Sequence, residues 1–147
     1  MTNHPTAYET DVYAWMQEQA AFLDGKHWDA LDLANLLEEV LSVGVSQYTA
    51  VSSAVYQILV HLLKWRYQPA RQSRSWRVSL LEHRSRIPRR LRRAPSLARE
   101  IPRMILEEYP AACRKASAQT DLPLATFPET CPWTVEQVLH EDFWPDV

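Results

Sequence analysis

Glycine is nearly missing from this 147-residue chain, which holds only Gly25 and Gly44. That excludes the phosphate loops built on glycine: neither G-x-G-x-x-G nor G-x-x-x-x-G-K-[ST] occurs. Cysteine is as scarce. Cys113 and Cys131 form no C-x-x-C and no zinc-ligand spacing. Two isolated cysteines fit a reducing compartment, where each behaves as a small hydrophobe. H-E-x-x-H and G-x-S-x-G are absent too. No basic, apolar, small-residue succession at the N-terminus marks a signal peptide. The longest apolar run, 58–60 and 62–63, is interrupted by His61 and is far shorter than the ~20 residues a membrane span needs. No stretch alternates like a strand, and no segment repeats. These absences lead to the expectation of a cytoplasmic protein with no membrane partner, no cofactor and no metal.

What is present reads as helix. Six tryptophans, six tyrosines and three phenylalanines supply core anchors, and a chain of this length is expected to form one domain, 1–147. Residues 8–24 bring Tyr8, Val12, Trp15, Gln19/Ala20 and Phe22/Leu23 to one face, an amphipathic helix ended by Gly25. A second helix is expected to open at Trp28-Asp29, with Asp29 as N-cap and Trp28 and Leu33 as its hydrophobic staple. Its stripe is Leu33, Leu36, Leu37, Val40 and Gly44. A tight turn at Gly44 is then expected to start an antiparallel third helix at Val45 or Ser46. Pro69 stops that helix after Gln68. The fourth helix spans roughly 74–93 with a kink at Pro88. The fifth spans about 96–118, with irregularities at Pro102 and Pro110. Prolines 123, 128 and 132 make an extended tail, and Thr134 to Gln137 fits a capping box for a short last helix. The fold class is all-α: a mainly antiparallel, up-and-down bundle of four to five helices, an extended Pro-rich C-terminal tail and one short terminal helix.

The third helix carries the first candidate site. At about 100° per residue, Val51, Val55, Ile58, Leu62 and Trp65 form one apolar stripe, and Tyr56, Val60, Leu63 and Tyr67 a second. Between them Gln57, His61, Lys64 and Gln68 share one line. A helix apolar on two sides is central, so this line is either a slot to solvent or a buried network whose groups need partners. Antiparallel to it, the second helix would offer Asp32. The acidic pair Glu38 and Glu39 would lie on the order of 15 Å from His61 along the axis. No repeated Glu-x-x-His accompanies them, which argues against a metal.

Charge is divided unevenly. Residues 1–60 hold eight acids and one base, a net of −7; residues 61–103 a net of +11; residues 104–147 a net of −6. From Arg71 to Arg103 there are eleven arginines and no lysine. Arginine favours bidentate contact with carboxylate or phosphate. Arg84, Arg86, Arg89, Arg90, Arg92 and Arg93 are the candidate anion-binding set, with Trp76 available for stacking. The bland reading pairs these arginines with the acidic flanks, within the chain or between subunits.

Several segments together resemble a known family: YETDVYAW (8–15), LDLANLLEEV before Gly44, HLLKWRYQP (61–69), SRSWR (73–77), APSL (94–97), FPETCPW (127–133) and FWP (143–145). The pattern resembles the small bacterial and cyanobacterial helical proteins known as domain of unknown function 29, over nearly the whole chain. The resemblance implies a compact helical domain that is usually the entire protein, and it implies no activity. Asp32, Glu38, Glu39, His61, Lys64, Gln68, Pro69, Ser75 and Trp76 fit its pattern. Pro88 and the arginine density at 84–93 depart from it. Three functional readings follow. The first is binding or self-assembly, a homo-oligomer being one option, with no catalysis. The second is a nucleic acid or other polyanion held by segment 71–103. The third is an enzyme using Glu38 or Glu39 with His61 and Lys64.

Overall fold

A computed structural model describes residues 6–146. They are all helix, turn and loop, with no strand among the described residues. The chain forms two compact units, Met1–Val45 and Ser46–Val147.

In the first unit, α1 (Val12–Asp24) is capped by Asp11, whose carboxylate accepts from the Ala14 amide at 3.0 Å. Trp15 and Gln19 are buried on its inner face. Both reach Asp32: the Trp15 indole donates to Oδ2 at 3.1 Å, and Gln19 Oε1 accepts from the Asp32 amide at 2.8 Å. Gly25 caps α1 with an ordinary right-handed φ of −77°, and the left-handed residue is Lys26 at φ 57°. A Cβ at 25 would lie 2.8 Å from the ring of the exposed His27, which would have to swing aside. Asp29 sits in a single 3-10 turn, Trp28–Ala30, and caps no α-helix. The cap of the next helix is Asp32, which accepts from the Asn35 amide at 3.3 Å and from its side chain at 2.7 Å. Trp15 and Gln19 hold Asp32 at the helix entrance, an anchor that Asp29 lacks.

The helix that Asp32 opens, α2, runs unbroken from Leu33 to Tyr67, 35 residues. The expected turn at Gly44 is absent. An interior glycine costs about 1 kcal/mol relative to alanine, and nothing else in Leu33–Tyr67 opposes helix: there is no proline, and apolar residues recur every three or four positions. Continuing the ladder past Gly44 is cheaper than opening a turn that would need a positive φ.

The second unit is built around the C-terminal two-thirds of α2. Val51, Val55, Ile58 and Leu62 are buried on one side, Val60 and Leu63 on another. After the Pro69–Arg71 turn, Ser73 caps α3 (Arg74–Arg93) by accepting from the Trp76 amide at 3.2 Å. The α3 helix continues through Pro88. It runs antiparallel to α2, setting Arg77 against Trp65 and His83 against His61. Six residues of 3-10 helix, Pro95–Glu100, precede α4 (Ile101–Thr120), so the expected fifth helix starts later and ends later. Pro102 falls in the first turn of α4, where its missing N–H is not needed. The α4 direction matches α2: Tyr48 donates to Glu107 at 3.1 Å, and Gln68 to the Thr120 carbonyl at 3.1 Å. The three helices therefore run up, down and up. The tail folds back over them, tied by Tyr109 Oη to the Pro128 carbonyl at 2.8 Å. It ends in α5 (Val135–Leu139), which has the expected capping box between Thr134 and Gln137.

A Cβ added at Gly44 meets nothing within 4 Å. Gly44→Ala is expected to raise Tm by about 2–4 °C, the equivalent of roughly 1 kcal/mol. A thermal melt followed by circular dichroism checks it, and a lowered Tm would count against an unbroken α2.

Candidate functional site

The polar line of α2 divides in two. Lys64 is only 8 % exposed. Its ammonium donates to Gln119 Oε1 at 3.0 Å and lies 4.5 Å from the centre of the Trp76 ring. No carboxylate pairs with it among the described residues. Burial, helped by Lys115, lowers its pKa. One turn on, Gln68 donates to the Thr120 carbonyl at the end of α4. A cation beside helix C-terminal carbonyls is electrostatically favoured, so Lys64 and Gln68 close one end of the α2–α4 seam.

His61, one turn back, lies against α3 as Lys64 does. Its Nδ1 lies 2.8 Å from the Gln57 carbonyl. A carbonyl only accepts, so Nδ1 carries the proton and Nε2 the lone pair. The ring stands 6.1 Å from that of His83, tilted by 39°, and His83 Nδ1 is buried without a hydrogen-bond partner. Burial holds both imidazoles below their ordinary range. Lys64 adds to this at His61, and Arg86 and His61 add at His83, with Glu82 opposing. Gln57 itself is half-buried.

The acids stand elsewhere. Asp32 is engaged by Trp15, Gln19 and Asn35. Glu39 accepts from Tyr8 Oη at 2.6 Å, and Glu38 is exposed. The expected place of Asp32 alongside Gln57 and His61 depended on the turn at Gly44, which the continuous helix removes.

The arginines of α3 fall into different environments. Arg84 is 1 % exposed. Its Nε, Nη1 and Nη2 donate to the carbonyls of Val138, Phe143 and Gln137 at 2.9, 2.8 and 2.9 Å. It clamps the C-terminal end of α5 and the segment after it. Burial lowers its pKa to about 10, with Glu141 opposing, so it stays charged at neutral pH. The other five are exposed. Arg86 pairs with Glu82 at 2.7 Å within the helix, and Arg89 donates to Ser85 at 3.2 Å. The one other ion pair among the described residues is Arg103–Glu107, also within a single helix. Arg86, Arg89, Arg90 and Arg93 line a cleft of about 670 Å³ with Glu82 and, from α2, Ala50 and Ser53. Arg92 opens on another cleft, beside Ile87, Pro88, Leu91 and Leu139. Trp76 covers Lys64 and is not among the lining residues of either cleft.

A third cleft, about 510 Å³, is lined by Tyr109, Pro110, Cys113, Arg114, Leu124, Ala125, Phe127, Pro128 and Glu129. Both cysteines are free thiols, and burial pushes their pKa values up, which disfavours the nucleophilic thiolate. Among the described residues no three His, Cys, Asp or Glu side chains gather where they could hold a metal ion. No described helix is long and apolar enough to cross a membrane.

Sequence reasoning missed the place of His83 beside His61, the part of Gln119, the hold of Gln19 on Asp32 and the structural part played by Arg84. For Arg84 a signal existed: it lies in phase with Leu80, Ile87 and Leu91, the apolar stripe of α3.

The family described as "Domain of unknown function DUF29" matches residues 7–144, and the chain belongs to it. No curated protein and no solved structure matches the chain.

Two outcomes follow from these environments. Arg84→Ala removes three charge-assisted bonds and strands three carbonyls, a loss of about 3 kcal/mol or more. It should lower Tm by about 10 °C and expose residues 135–146 to limited proteolysis; a variant as stable as the parent would contradict the clamp. His61 and His83 titrate lower folded than unfolded, so the unfolded state takes up protons first as pH falls. Their contribution is intact above the unfolded value and is lost as pH drops through the folded values. Melts between about pH 7 and about pH 5 should show Tm falling, and falling less in the His61→Gln/His83→Gln variant. Equal slopes would mean these imidazoles are not buried neutral.

Proposed function

We propose that this protein acts by binding and self-assembly, through the N-terminal stretch of α2. The observation that carries this reading is the exposure of Leu33, Leu37, Val40, Leu41, Val43 and Val45, each between 60 % and 68 %. They occupy one 13-residue stretch of one helix. Leu33, Leu37, Val40 and Leu41 are spaced by three or four residues, which sets them on a single face. The same spacing continues along α2 through Val51, Val55, Ile58 and Leu62, where the face is core.

The four side chains of this face expose on the order of 400 Å² of apolar surface, more than singly scattered surface hydrophobes do. That is about half of the ~800 Å² per partner of a standard interface. A stripe of leucine and valine at 3–4 spacing is self-complementary, since each such helix offers the knobs and the holes another needs. A second copy of the chain is therefore the occupant, in a two-fold arrangement that repeats the same patch on both sides.

Sedimentation equilibrium tests this. The parent protein is expected to be a dimer or larger at about 100 µM, well above the dissociation constants of standard-size interfaces. Leu37→Glu/Leu41→Glu should be monomeric with its helix content retained. A parent that sediments as a monomer at that concentration would overturn the reading.

A further inference from the structure

We infer that the cleft between α2 and α3 lined by Arg86, Arg89, Arg90 and Arg93 binds the phosphodiester backbone of a nucleic acid. The four arginines stand at i, i+3, i+4 and i+7, one face of α3. Opposite them α2 presents Ala50 and Ser53, short side chains that leave the cleft open to a strand. The space is about 670 Å³.

The charge of this face is not spent within the protein. Among the described residues, Arg89, Arg90 and Arg93 make no ion pair, and Arg86 shares only the exposed Glu82 of its own helix. Over its 20 residues α3 carries eight arginines against that single acid. Arg84, in the same run, shows the contrast: the one arginine with a structural task is buried and fully engaged by carbonyls. The four cleft arginines have no such task and remain exposed.

Phosphate fits this face better than isolated carboxylates. The segment uses arginine to the exclusion of lysine, and the guanidinium fork meets two phosphate oxygens at once. Positions 86 to 93 cover roughly 10 Å of helix axis. A nucleic-acid strand places one phosphate about every 3.4 Å of rise, so about three phosphates face the four arginines. No base-reading element accompanies the cleft: Trp76 covers Lys64. Binding is therefore backbone-directed and tolerant of sequence. This site is separate from the apolar stripe of α2, so either can stand if the other fails.

The test is fluorescence anisotropy with labelled 20-nucleotide single-stranded RNA, single-stranded DNA and duplex DNA of mixed sequence, across a salt titration. The parent should bind at least one of them, with log K falling against log salt at a slope of about −2 to −3, as three phosphates require. Arg89→Gln/Arg93→Gln should bind about tenfold or more weakly at fixed salt and show a slope smaller by about 1.5. Arg71→Gln/Arg74→Gln removes the same charge from exposed positions outside the cleft and should change affinity less than threefold. Melting curves confirm that both variants are folded; if the cleft pair is unstable, Arg90→Gln alone replaces it. No binding at about 50 mM salt, or equal losses in the cleft and control variants, overturns the proposal. Binding to vesicles of anionic phospholipid or to inorganic polyphosphate, with none to nucleic acid, overturns it as well.

Discussion

The fold turns on the continuity of α2. One helix serves as the centre of the second unit, where it is apolar on two sides, and also begins in the first unit, where it carries a dense leucine and valine face. A helix cannot cover its own side chains. Had the chain turned at Gly44, the residues before it would have had a chance to fold onto those after it. By staying helical, α2 keeps its early apolar face open while Asp32, held by Trp15 and Gln19, fixes where that face begins. The exposed stripe is therefore a consequence of the helix's length, and we propose a second copy of the chain as the partner that covers it.

Elsewhere the sequence assigns polar residues to closing work. Lys64 and Gln68 seal the end of α4, and Arg84 pins the tail against α3. Each is a polar group buried with its partners supplied, as burial requires. Beyond these, Arg77 lies over Trp65 and Trp144, while Arg89, Arg90, Arg92 and Arg93 make no ion pair among the described residues. The division between Arg84 and its neighbours is set by phase on the helix: Arg84 falls on the inward stripe of Leu80, Ile87 and Leu91, and Arg86, Arg89, Arg90, Arg92 and Arg93 fall off it.

Much of the fold was legible because local chemistry was unambiguous. Pro69 after the central helix and Thr134 with Gln137 before the last one each specify a boundary through a donor satisfied or removed. Gly44 misled because a lone glycine in a helical pattern has two readings separated by about 1 kcal/mol, and the surrounding periodicity decides between them. Asp29 and Asp32 look alike as caps; the difference lies in Trp15 and Gln19, a contact across some 15 residues that no local window contains. The polar line on α2 was visible from spacing alone. Its partners Gln119, Thr120 and His83 were not, since they come from helices whose register only packing sets.

The central claim is that the early part of α2 is helical throughout and covered by another copy of the chain. Hydrogen exchange measured on peptides spanning residues 36–46, at high and at low protein concentration, tests it most directly. The account predicts slow exchange when the protein is concentrated and markedly faster exchange on dilution, with residues 51–63 protected at both. Exchange in 36–46 that is fast at every concentration, or equally slow at every concentration, would contradict it.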